Sequence, residues 1–149
     1  MNKKKPPIKV LRILNRFNVG GPTYNATYLT KFLSPEFETL LIAGNKLESE
    51  SSSEYILKKY NINYRIIKSM KRSINLYKDI VSLFEILNII RKYKPDIVHT
   101  HASKSGAIGR IAAIIARVPI IVHTFHGHVF HSYFGVFKTN FYIFLERFL

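Results

Sequence analysis

The chain has 149 residues, no Cys, and 23 Lys and Arg against nine Asp and Glu, for a formal net charge of +14. Its length suits one domain with one core, its hydrophobic content of 47% excludes a disordered segment, and the lack of Cys excludes disulfides, thiolate metal sites and thiol nucleophiles. The charge predicts attraction to phosphates, on nucleic acid, anionic lipid or a nucleotide, with a merely solvated basic surface as the plain alternative.

Taken in order, Ile8 to Leu14 alternates loosely with Lys9 and Arg12 and runs into Asn15, Asn18, Gly20 and Gly21, a strand ending in a glycine turn. A helix is expected over 22–33, started by Pro22, striped by Tyr24, Tyr28, Leu29 and Phe32, and stopped by Ser34-Pro35. Phe37 to Ala43 reads as a second strand closed by Gly44, followed by a polar loop over 45–54, a short helix over about 52–60 and a third strand over 62–67. After a basic turn holding Lys68, Lys71 and Arg72 comes the clearest helix, with Leu76, Ile80, Leu83, Leu87 and Ile90 on one stripe, capped by Asn75 and ended before Pro95. A fourth strand over 97–101, a helix over 106–117 and a fifth strand over 120–125 complete the alternation, and 134–149 fits a final helix that stops abruptly, as a fragment would.

Strands alternating with helices imply an α/β, Rossmann-like doubly wound parallel sheet, because right-handed crossovers place helices on both faces. The crossovers predict strand order 3-2-1-4-5, which puts the ligand crevice between strands one and four. There the turn ending in Gly20 and Gly21 faces the turn from His101 to Lys104, with the loop after strand five nearby.

Gly20 and Gly21 permit close backbone approach to an anion at a helix N-terminus, although a glycine pair is as readily only a turn. All six His, at 99, 101, 123, 126, 128 and 131, fall in the last third. The spacing of His99 with His101 and of His126 with His128 would suit a metal, but without Cys or close acids the first shell would be all imidazole. The other reading makes His126 and His128 donors to sugar hydroxyls or phosphate oxygens, with His99 and His123 as satisfied core histidines. Lys68, Lys71 and Arg72 form a basic rim for an anionic acceptor or lipid headgroup, or simply a solvated loop.

The segments Ile13-Leu-Asn-Arg-Phe-Asn-Val-Gly-Gly-Pro22, Lys94-Pro-Asp-Ile-Val-His-Thr-His101 and Val122-His-Thr-Phe-His-Gly-His128, in this order and each at a strand end, resemble the acceptor-side domain of family 4 glycosyltransferases. The resemblance covers nearly the whole chain. It implies that 1–149 is the N-terminal half of a GT-B fold, whose enzymes transfer a sugar from a nucleotide-sugar co-substrate with retention and without an obligatory metal or other cofactor. It implies that Gly20 and Gly21 approach the donor diphosphate, with His128 of the same His-Gly-His motif also on the donor side, and that His126 sits by the transferred sugar as the catalytic residue. Arg72, His101 and Lys104 are assigned to the acceptor from their positions. The family's second domain, with its basic pair and paired glutamates, is absent from these residues, so negligible transfer by this chain alone is expected.

The expected partners are therefore a nucleotide-sugar and a glycan or lipid-linked acceptor of cell-surface polysaccharide synthesis, with an anionic membrane surface and no nucleic acid. Lys9, Arg12, Asn15 and Arg16 cut the apolar stretch an export signal would need, and Arg117 and Pro119 break the longest apolar run, so a cytoplasmic, peripheral protein is expected. The contrasting reading is a non-catalytic anion- or lipid-binding module on a Rossmann-like fold.

Overall fold

A computed structural model of the chain describes residues 5–71 and 73–126, together with 135–136, 139–140, 143–144 and 147. Five parallel strands form one sheet in the order β3-β2-β1-β4-β5. In chain order the elements are β1 (Ile8–Arg16), α1 (Gly21–Phe32), β2 (Phe37–Gly44), α2 (Glu54–Lys59), β3 (Tyr64–Ile67), α3 (Leu76–Tyr93), β4 (Ile97–His101), α4 (Ser103–Ile115) and β5 (Ile120–Thr124). The expected final helix over 134–149 falls largely outside the described residues.

The core has two layers because the pleat of β1 feeds both faces. Leu11 and Ile13 join Leu40, Ile42, Val98, Ile86, Ile90, Ile108 and Ala112 on the side of α3 and α4. Leu14 joins Leu41, Ala43, Ala26 and Leu57 on the side of α1 and α2. Arg12 occupies this second face and is only 3% exposed, against the loose alternation read in the sequence. A central strand covered on both sides has no solvent face, so its polar residue is buried with the rest.

Two helices use a different face from the one their apolar spacing indicates. α1 turns Thr23, Ala26, Thr27 and Thr30 to the sheet and leaves Tyr28 and Phe32 exposed. Small side chains bring the helix close enough for Thr30 Oγ1 to accept from Arg12 Nη1 at 3.1 Å, while Tyr28 packs at the surface in tilted contacts with Tyr24 and Phe32 and edge-on against Tyr60. α3 begins where expected, with Asn75 Oδ1 accepting from Lys78 N at 3.0 Å, and it ends at Lys94 in the left-handed conformation, φ 52, before Pro95. It buries Ser82, Ile86, Leu87 and Ile90, whereas Leu76 and Ile80 of the expected stripe are 76% and 45% exposed. The first turns of α3 are tied to the start of α4 by Asp79 and Lys104, and their apolar residues stay exposed beside that contact.

α4 lies tightly on the crevice strands through Gly109. A Cβ built there would come within 2.7 Å of Thr100 Cγ2 and 2.9 Å of Ile13 Cδ1. This close seat fixes the N-terminus of α4 directly behind His101, at the edge where β1 and β4 end.

Candidate functional site

The site is assembled at the carboxyl edge of β1, β4 and β5. The turn after β1 is tied to the loop after β2 by the Arg16–Glu50 ion pair at 2.6 Å, by Val19 N donating to Ser51 O at 3.1 Å and by an Asn18–Ser52 bridge. These ties hold Gly20 and Gly21 at the start of α1, where no side chain caps the helix and no acid occupies its first turn. The positive end of the helix dipole is therefore bare.

Neither glycine is demanded by the backbone, since Gly20 is extended with φ 166. Nor does the packing require them. A Cβ at Gly21 would meet nothing within 4 Å, and one at Gly20 would make only ordinary contacts at 3.8 Å. The pair leaves open space in front of a helix N-terminus, a shape suited to an incoming anion.

The facing turn is strained. Ala102, the residue before α4, has φ 63 and ψ 161, a region that belongs essentially to glycine. It is held by Ala102 N donating to Thr124 O at 3.3 Å and by Gly106 N donating to Ala102 O at 2.8 Å. Like α1, α4 has no side-chain cap, so two bare helix N-termini open at this edge of the sheet. The strain at Ala102 carries no local sequence signal, because Ala is the residue least suited to announce it.

Between these turns stands a stack of imidazoles. His99 and His101 project from the same face of β4 with ring centroids 4.2 Å apart, and His126 stacks on His101 at 5.1 Å. His99 Nε2 is 2.8 Å from Thr124 Oγ1, and His101 Nδ1 is 2.8 Å from His126 Nε2. On the opposite face, His123 Nδ1 is 2.8 Å from Thr100 Oγ1, so His99 and His123 are hydrogen-bonded within the fold as expected. Because Arg12 pairs with His99 across the sheet, its guanidinium shares their face.

The electrostatics keep this stack neutral. Burial first, then the charges of Arg12 and its neighbours, pushes His99 down to about 4. Burial, then His99, His126 and Arg12, pushes His101 down to about 2. Desolvation also lowers His126. Arg12, buried beside them, is itself lowered to about 10 by desolvation. Among the described residues no three His, Asp or Glu side chains are grouped to hold a metal ion.

Two of the three expected acceptor residues, His101 and Lys104, are among the described residues. His101 is fully buried, with no exposed surface to offer a ligand. Lys104 Nζ pairs with Asp79 Oδ1 at 2.5 Å and donates to Ser73 O, tying the start of α4 to the start of α3. Its charge opposes the α4 dipole and is met by Asp79. Arg72 and His128 lie outside the described residues, while Lys68 and Lys71 are exposed before α3. Of the expected residues, Gly20, Gly21 and His126 are the ones placed at the open edge, Gly21 and His126 both exposed.

Residues 19–149 match the profile of Glycosyltransferase Family 4. The chain is 50% identical over 66 residues to an Escherichia coli UDP-Gal:alpha-D-GlcNAc-diphosphoundecaprenol alpha-1,3-galactosyltransferase, covering 44% of this chain and 17% of that protein. It is 39% identical over 77 residues to the Staphylococcus aureus capsular polysaccharide biosynthesis glycosyltransferase CapM, covering 52% of this chain and 20% of that protein. Its fold is similar to that of Acinetobacter baumannii MurG, with a TM-score of 0.66 and 19% identity over 95% of this chain and 39% of that one. The chain thus spans about a fifth of the length of these curated relatives. With the family profile matched across all but its first 18 residues, the chain belongs to Glycosyltransferase Family 4.

Proposed function

We propose that this domain is the acceptor-side half of a retaining glycosyltransferase that moves a sugar from a nucleotide-sugar to a lipid-linked glycan precursor in cell-surface polysaccharide synthesis. The observation that carries the reading is the open carboxyl edge of the sheet, where the bare N-terminus of α1 at Gly20-Gly21 and the exposed His126 lie beyond β1 and β5. An anionic diphosphate fits against the former, and a neutral imidazole beside it contacts the sugar. His126 acts there as a hydrogen-bonding group toward a sugar oxygen, and the diphosphate charge is met by the α1 dipole and by residues of a partner domain. No obligatory metal or cofactor enters this proposal.

The acceptor side is read from the exposed start of α3. Ile74, Leu76, Tyr77 and Phe84 are 81%, 76%, 77% and 64% exposed, next to an apolar groove lined by Ile80, Leu83, Ile108 and Ile111 and to exposed Lys68 and Lys71. An apolar patch edged by cations matches a polyprenyl diphosphate in an anionic membrane, the acceptor type that the name of the E. coli relative states for that protein. Among the described residues no helix is long and apolar enough to cross a membrane, so the proposed contact is peripheral, at the cytoplasmic face.

The test is transfer by a protein joining this domain to a compatible donor-binding domain, with a polyprenyl-diphosphate sugar as acceptor. His126→Ala is expected to lower turnover at least about tenfold, or about 1.4 kcal/mol in the barrier, with retained anomeric configuration in the product and negligible transfer by the 149 residues alone. Unchanged turnover in the variant refutes the role of His126. Absence of any transfer, with steeply salt-dependent binding indifferent to His126, favours the non-catalytic anion-binding module instead.

A further inference from the structure

His126 is exposed, but its inner nitrogen is not free: Nε2 lies 2.8 Å from Nδ1 of His101, whose ring is fully buried beneath it. Two neutral imidazoles joined in this way must divide the roles, one donating and the other accepting. The choice between them fixes what His126 shows to a ligand, because its remaining nitrogen, Nδ1, takes the opposite protonation from Nε2.

The surroundings make that choice. His101 Nε2 is buried with no hydrogen-bond partner. The guanidinium of Arg12 lies on the same face of the sheet, also buried, and its Nε has no partner either. A fixed positive charge among these rings favours a bare lone pair on Nε2 over an N–H dipole, so the proton of His101 belongs on Nδ1. The backbone carbonyl of His101 accepts from Ser105 Oγ in the first turn of α4, and its ring is flanked by His99, itself tied to Thr124.

We infer that His101 is a positioning residue: its Nδ1–H donates to His126 Nε2 and so holds His126 in the Nδ1–H tautomer, with a hydrogen-bond donor directed away from the fold. A donor locked at that position selects an oxygen acceptor on the ligand, a sugar hydroxyl or a phosphate oxygen, and discriminates against a ligand presenting a second donor. The second-layer residue thereby sets the chemistry of the first, as partners behind metal-binding histidines do. The link to catalysis rests on the role proposed above for His126, whereas the link between the two rings does not.

The test is nitrogen NMR on the chain labelled with 15N histidine, at neutral pH. In the wild-type protein a scalar coupling across the hydrogen bond between His101 Nδ1 and His126 Nε2 is expected, with both residues protonated at Nδ1 and bare at Nε2. In a folded His101→Leu variant, His126 should relax to the tautomer mixture of a free imidazole, and His101→Asn, whose amide overlays the Nδ1 position, should restore the single tautomer. No coupling in the wild type, a proton on His126 Nε2, or an unchanged His126 spectrum in folded His101→Leu each overturns the inference. If His101→Leu does not fold, the wild-type spectrum and His101→Asn decide it alone. In the transferase carrying this domain, His101→Leu should lower kcat about tenfold with a smaller change in KM, and His101→Asn should recover most of it. An inert His126→Ala in that assay with the NMR result intact sinks the catalytic role of His126 and leaves the positioning contact standing.

Discussion

Acidification from pH 7 to pH 5 acts on the buried imidazole stack before it acts on most carboxylates. His101 has no solvent exposure and is held down at about 2, by burial first and then by the charges of His99, His126 and Arg12. Released in the unfolded chain, it titrates near about 6.5. The native state therefore declines a proton that the unfolded state accepts below that value, so stability is intact above it and falls as the pH drops toward the folded value. The slope is about 1.4 kcal/mol per pH unit for one proton, which gives about 2 kcal/mol lost at pH 5. His99, held at about 4 by burial and then Arg12, adds in the same direction. Among the described residues, the side chains recorded against the stack are Arg12 from β1, itself bonded to Thr30 of α1, and Thr124 from β5, none of them a carboxylate that could stabilise an imidazolium. Urea unfolding followed by circular dichroism at pH 7 and pH 5, on wild type and His101→Asn, measures the effect. The variant is expected to lose about 2 kcal/mol less between the two pH values, whatever its absolute stability. Equal losses in the two proteins would refute the placement of a neutral, buried His101.

Other substitutions probe the frame around the site. Gly44→Ala would set a Cβ 2.0 Å from Met70 O and 2.7 Å from Asn15 O, backbone atoms that cannot step aside, so a loss of at least about 3 kcal/mol in urea unfolding is expected. Gly21→Ala, with open space around its Cβ, should leave unfolding within about 0.5 kcal/mol while lowering turnover in the transferase carrying this domain; a matched loss of stability would remove the argument for a ligand in that space. Ala102→Gly relieves the φ 63, ψ 161 conformation and should stabilise the chain by about 1 kcal/mol in the same assay. Leu76→Glu with Tyr77→Glu, both on exposed positions, should leave folding intact and abolish sedimentation with anionic vesicles, and unchanged sedimentation would refute the α3 patch as a membrane contact.

The strand order and the crevice were legible because glycine and proline punctuate the chain and the helical and strand periods alternate cleanly between them. The capping of α3 by Asn75 was legible for the same local reason. What hydrophobic spacing could not reveal was which neighbour each face would meet. α1 has a convincing aromatic stripe, yet the sheet takes its Thr and Ala face, since close approach over β1 and β2 and the bond from Arg12 to Thr30 favour small residues there. α3 has an apolar stripe that starts at Leu76, yet only its later turns are buried and the first remain uncovered. Arg12 interrupts an apolar run as the polar half of a loose alternation, yet the central position of β1 in a sheet covered on both faces buries it. The histidines were legible as a cluster, with His126 and His128 read together as its ligand-facing pair, but the bond from His101 to His126 spans 25 residues and depends on the register of β4 against β5.

That register also explains how a strongly basic chain can carry an uncharged centre. The formal charge of +14 resides mainly in side chains able to reach water, such as exposed Lys68 and Lys71 at the rim, where they attract phosphate over a distance of about a Debye length. Arg12 and Arg110 are buried instead, and the field of Arg12 helps to keep His99 and His101 unprotonated. A protonated His126 would hold a sugar diphosphate more tightly in the ground state, but attraction shared equally by ground and transition states adds nothing to the rate of the chemical step. In the proposed transfer, a neutral donor of fixed orientation would instead meet an oxygen whose charge grows as the bond to the diphosphate breaks, and so would contribute where the barrier lies. On this argument Arg12→Leu, by removing the buried cation, should raise the pKa values of His99 and His101, measurable in the same 15N spectra. Values unmoved in a folded variant would show that burial alone keeps the stack neutral and that Arg12 has only a packing role.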